Sequence, residues 1–126
     1  MNIEEFHKRR ERGNEAILAT KDKVLTRFFN LDWNAYRNGA LDAKTKEMLG
    51  LVASLVLRCD DCVTYHLDNL IEAGITMPEL VEAIDVGLIV GGSITIPHIR
   101  RIFERLEEYQ EAGKFDMYMG DTTAAD

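Results

Sequence analysis

Residues 47–66 read EMLGLVASLVLRCDDCVTYH, and this stretch decides the fold. Its residues 48–57 are apolar on most faces, so a helix here belongs at the centre of a core. The run is far too short to cross a bilayer, which needs about 20 such residues. Beyond it, Cys62 and His66 lie three and seven positions after Cys59. At about 100° per residue, a helix opened by Cys59 gathers all three side chains within roughly 60° of one another around its axis and sends Asp60 and Asp61 elsewhere. Along one straight rod, Glu47 would sit about 18 Å from Cys59. A sharp reversal near Arg58 would instead lay two helices antiparallel and bring Glu47 beside the turn that carries His66.

Helical spacing continues in both directions. Asp42 is an N-cap for a helix over residues 43–58, and a second helix runs from about 60 to 73, with Gly74 as its left-handed C-terminal cap. TMPE at 76–79 is a capping box, with Ile75 and Leu80 placed to form a hydrophobic staple. The helix it starts continues to Gly91-Gly92. The last helix spans about 97–111 with Ile99, Ile102, Phe103 and Leu106 on one stripe, and Gly113 ends it. Ile17, Val24, Leu25 and Phe28 share a helical face in the N-terminal third, and Asn38-Gly39 marks a turn. The final segment from Gly113 has no helical period; it reads at least as readily as a frayed tail as a segment that packs Phe115, Met117 and Tyr118 on a neighbouring surface. No run alternates apolar and polar residues in the manner of a strand. The expectation is an all-α, compact helical bundle in a single domain over 1–126. It has an N-terminal helical arm over about 1–38, a motif-bearing core over about 42–112 and a tail over 113–126.

The chain has 126 residues, of which 46% are hydrophobic, enough for one ordinary core. Its net charge of −7 repels polyanions, so no nucleic-acid partner is expected. No membrane partner is expected either. The N-terminal MNIEEFHKRRER lacks the apolar stretch and cleavage site of a secretory signal, so the expected location is cytoplasmic. Apolar richness over 48–57 and 80–96 points to a homo-oligomer, and Phe28, Phe29, Trp33 and Tyr36 suit a core or a subunit interface.

Two cysteines in a reducing compartment are not a permanent staple; their C-x-x-C spacing points to redox or metal chemistry. A thiolate is the attacking species, and the N–H groups at a helix start stabilise its charge. His66 can carry the proton, Glu47 can hold the imidazole in its useful tautomer, and the second sulfur closes a disulfide once the first is oxidised. Asp60 and Asp61 oppose this, because negative charge beside sulfur disfavours the thiolate. Zinc is the chemical rival, with Cys59, Cys62 and His66 as ligands and Glu47 or His98 as a fourth. Structural zinc sites usually use two ligand pairs, and no second pair exists, so neither a metal nor another cofactor is expected. His98, after Pro97, is read as a capping or solvent-facing residue in preference to one that enters a neighbour's site.

The ungapped pattern Glu47-x11-Cys59-x2-Cys62-x3-His66 resembles the signature of the alkylhydroperoxidase D-like branch of the carboxymuconolactone decarboxylase superfamily, and the wider similarity extends to about Leu106. The resemblance implies an all-α bundle with the dithiol at a helix N-terminus, assembled as trimers or hexamers. It implies Cys62 as attacking thiolate, Cys59 as resolving thiol, and Glu47 and His66 as the relay, with or without a bridging water. The implied activity is peroxidase: reduction of a hydroperoxide substrate, with electrons from a dithiol donor, either dihydrolipoamide-like or a thioredoxin-like protein. One departure stands out, since family members can carry a histidine between the cysteines where this chain has Asp61. The superfamily's lactone decarboxylases typically lack the cysteine pair. Two alternatives remain open at this point. One is a decarboxylase or lyase in which His66 and Glu47 act as acid and base. The other is a non-catalytic redox-sensing module.

Overall fold

A computed structural model describes residues 1–118. Among them the regular structure is helical: α1 (Ile3–Ala19), α2 (Lys23–Ala35), α3 (Ala43–Val56), α4 (Asp60–Glu72), α5 (Met77–Gly91), a 3-10 turn (Ser93–Thr95) and α6 (Ile96–Glu111). The chain divides into two compact units, Met1–Ala43 and the part from Lys44 onward.

In the first unit α1 packs on α2. The break between them separates Ile17 from Val24, Leu25 and Phe28, which sequence periodicity had placed on one continuous face. Polar side chains make the break, because they offer the backbone partners outside a helix. Thr20 Oγ1 donates to the Ile17 carbonyl at 2.7 Å, and the Asp22 carboxylate accepts the Leu25 N–H at 2.9 Å as the N-cap of α2. Lys21 between them has φ 58°. The α2 face is also not core, with Val24, Phe28 and Trp33 at 75%, 65% and 64% exposure. The turn at Asn38 is present, and Asn38 Oδ1 accepts the Ala43 N–H at 2.6 Å.

The second unit contains the core, in which Leu51 and Leu55 of α3, Leu67 and Leu70 of α4, Leu80 of α5 and Leu106 of α6 are wholly buried. α3 and α5 approach closely at two glycines. A Cβ on Gly87 would stand 2.8 Å from Leu55 Cδ2, and one on Gly91 would stand 2.5 Å from Thr95 Cγ2 and 3.7 Å from the Val56 Cα. Lys44 Nζ of α3 bonds both carboxylate oxygens of Glu79 on α5, at 2.9 and 3.0 Å. Glu79 belongs to the capping box with Thr76, and Ile75 and Leu80 on either side of that start are both buried. Its carboxyl is held below the usual 4.5, first by the Thr76 backbone N–H and then by Lys44. The tail folds back in part: Phe115 is buried, the Met117 N–H bonds Gln110 Oε1 at 2.7 Å, and Tyr118 is 81% exposed. The rest of the tail lies outside the described residues.

α3 ends at Val56, two residues before the sequence boundary at 58, because the chain reverses there. The Arg58 N–H bonds the Leu55 carbonyl and the Cys59 N–H bonds the Ser54 carbonyl, both at 3.0 Å. Together these bonds form a Schellman closure, whose penultimate residue takes a left-handed conformation. Arg58 occupies it at φ 60°, a position that glycine fills without the penalty of about 1–2 kcal/mol for an L side chain. The next residue, Cys59, caps α4.

Candidate dithiol site

Cys59 is the N-cap of α4, and its Sγ accepts the Cys62 N–H at 3.3 Å. The two cysteines are joined as a disulfide with their Cα atoms 5.3 Å apart, a separation ordinary for such a bond. Cys62 is exposed and Cys59 half-buried, so a solute from outside meets Cys62 first. Only three positions separate the sulfurs. A loop so short restricts the unfolded chain by only about 2 kcal/mol, so this link can open without unfolding the bundle.

His66 follows Cys62 by four positions in the same helix and therefore shares its face. Its ring is buried, and Nδ1 lies 2.7 Å from Glu47 Oε2 on α3. A carboxylate oxygen can only accept, so Nδ1 carries the proton of this bond and Nε2 is the basic nitrogen of that tautomer. The contact is direct, with no need of the water allowed for above. Glu47, also buried at 9% exposure, accepts a second bond at Oε1 from Asn69 Nδ2, at 3.2 Å. Asn69 escaped the sequence reading, although its place three residues after His66 puts it on the same face of α4. The Tyr65 ring meets His66 edge-on, with centroids 5.1 Å apart.

A second cluster lies at the same helix start. His98 caps nothing; its Nδ1 is 2.7 Å from Asp60 Oδ1, and its side chain is largely buried at 16% exposure. Arg101 Nη1 donates to Asp60 Oδ2 at 2.8 Å. The expectation of a capping or solvent-facing histidine fails because α6 packs along α4 and delivers His98 to the carboxylate. No sequence spacing signals this pairing, since His98 and Arg101 are 38 and 41 positions away from Asp60. Among the described residues no group of three or more His, Cys, Asp or Glu side chains is arranged to hold a metal ion. No described helix is long and apolar enough to cross a membrane.

Residues 22–105 match the sequence model of the carboxymuconolactone decarboxylase family. The chain belongs to the carboxymuconolactone decarboxylase family. A Thermotoga maritima protein solved in two crystal structures is 51% and 50% identical, with TM-scores of 0.84 and 0.83; the similarity covers 87% of this chain and 96% and 93% of those chains. One of the two is described as a carboxymuconolactone decarboxylase family protein and a candidate for a part in the antioxidative response. A Legionella pneumophila member of the family, 24% identical over 84% of this chain and 95% of its own, shares the fold at a TM-score of 0.77. An uncharacterised protein of Cupriavidus necator is 29% identical over 58 residues, which are 46% of this chain and 51% of that protein. The matched stretch thus spans about half the length of that curated relative.

Proposed function

We propose that this member of the carboxymuconolactone decarboxylase family is a thiol–disulfide oxidoreductase of the alkylhydroperoxidase D type that reduces hydroperoxides. The observation that carries the reading is the buried Glu47–His66 bond in helical register behind a joined Cys59–Cys62 pair whose Cys62 is exposed. In the reduced enzyme His66 Nε2 takes the proton of the Cys62 thiol, and the thiolate so formed attacks a peroxide oxygen. The O–O bond breaks, the alcohol leaves with a proton handed over by His66, and Cys62 becomes a sulfenic acid. The Cys59 sulfur then attacks Cys62, forming the S–S bond and releasing water. An external dithiol, dihydrolipoamide-like or on a thioredoxin-like protein, returns two electrons by thiol–disulfide exchange. Glu47 keeps the His66 proton on Nδ1 and so keeps Nε2 available for the transfer. The antioxidative description of the Thermotoga relative supports the same chemistry.

The working protein is a homo-oligomer, a trimer or hexamer. The support is apolar surface left open on single helices, with Val86, Ile89 and Val90 of α5 at 56%, 84% and 68% exposure, alongside the α2 residues already described.

The test is turnover of an organic hydroperoxide with a dithiol donor by wild-type protein and Cys62→Ser. The variant is expected to lose at least about 100-fold. Undiminished turnover in Cys62→Ser sinks the reading. Cleavage of a lactone acid that survives loss of both cysteines assigns the site to a lyase instead.

A further inference from the structure

Asp60 lies between the two cysteines in sequence, in the first turn of α4. A bare carboxylate there works against any thiolate formed beside it. This one is not bare. Its two oxygens are taken up by α6, Oδ1 by His98 Nδ1 at 2.7 Å and Oδ2 by Arg101 Nη1 at 2.8 Å. Since a carboxylate oxygen only accepts, His98 donates through Nδ1, and Arg101 Nη1 approaches the same nitrogen at 3.3 Å. Asp61, by contrast, is exposed, where solvent screens its charge. The charged and titratable groups around this turn are Arg58, Asp60, Asp61 and His66 on the segment itself, Glu47 from α3, and His98 and Arg101 from α6.

From the clamp on Asp60 we infer that His98 and Arg101 are positioning residues for the dithiol. They balance the Asp60 charge and fix the first turn of α4, so that a reduced sulfur ionises closer to neutral pH than it otherwise would. The inference rests on the dithiol chemistry proposed above. It also gives this chain its own answer to the acidic residues between its cysteines: one is matched by a cation delivered from another helix, and the other is left to water.

The test reads thiol chemistry rather than turnover. The protein is reduced with a phosphine, and its alkylation by iodoacetamide is followed against pH for wild type, Arg101→Gln, Arg101→Lys, His98→Gln, Asp60→Asn and the double variant Asp60→Asn/Arg101→Gln. Arg101→Gln is expected to raise the midpoint of the more reactive thiol by about one pH unit and to slow its alkylation at pH 7 by up to about tenfold. Arg101→Lys keeps the charge and the wild-type midpoint. His98→Gln shifts the midpoint upward by less than Arg101→Gln. Asp60→Asn leaves the midpoint at or below wild type. In the double variant the shift disappears, because no charge remains to be balanced. An unmoved midpoint in Arg101→Gln overturns the inference. So does a double variant as slow as Arg101→Gln, which reduces the clamp to a structural tie. A wild-type protein in which both thiols ionise near the free value of about 8.5 removes the dithiol reading itself, a result distinct from either of these.

Discussion

Glu47 commits both carboxylate oxygens to α4, one to the His66 ring and one to the Asn69 amide. A buried carboxylate held from two sides cannot rotate away, and His66 is in turn held to one tautomer. The two partners have different roles in the proposed chemistry, which predicts different losses. Glu47→Gln keeps the shape but loses the negative acceptor facing Nδ1–H, and peroxide turnover should fall by about 100-fold. Asn69→Ala leaves the Glu47–His66 bond in place and removes only its second restraint, so a loss of about three- to tenfold is expected. Steady-state turnover of the two purified variants checks the order. Equal losses would mean that orientation, not the carboxylate itself, is what His66 needs.

Polar contacts tie the helices that hold these residues to one another, and one between α6 and α4 has a readable consequence. Tyr109 of α6 donates to Asp68 Oδ1 of α4 at 2.8 Å. Burial first, and the neighbouring Asp68 carboxylate second, push the Tyr109 phenol well above its ordinary 10.0. The folded state thus holds the phenol neutral where the unfolded chain would ionise it. The resulting stability is fully present below about pH 10 and is lost as pH rises beyond it, with a limiting slope of about 1.4 kcal/mol per pH unit for one proton. Tyr109→Phe should remove that slope at a loss of about 1 kcal/mol near neutrality. Urea unfolding from pH 7 to 11 checks it, and parallel wild-type and variant curves above pH 10 would contradict it.

The molecule as a whole is acidic, with net charge −7, and carries its apolar excess outside the single-chain core. Ile89, at 84% exposure, lies on the same stretch of α5 as Val86 and Val90. An Ile89→Glu variant should leave the fold intact, because no buried contact is lost, while the proposed homo-oligomer dissociates toward monomer. Light scattering on the eluted protein, with thermal unfolding as the control, measures both effects. An unchanged mass would place the subunit interface elsewhere.

Much of this was legible from spacing alone, because helix caps and helical registers are local matters. The Thr76–Glu79 capping box, the Gly74 exit, the start of α4 at Cys59 and the sharing of one face by Cys62 and His66 all follow from residues a few positions apart. A reversal near Arg58 was legible as well, since Glu47 could reach His66 in no other way, although the residue types did not reveal that an arginine would take the left-handed turn. The break between α1 and α2 was missed because Thr20 and Asp22 are ordinary polar residues until their side chains bond the backbone. Nothing local linked Asp60 to His98 and Arg101, or Tyr109 to Asp68. Such pairings are decided by how α6 lies along α4, and that arrangement comes from the whole buried core, not from any window of sequence.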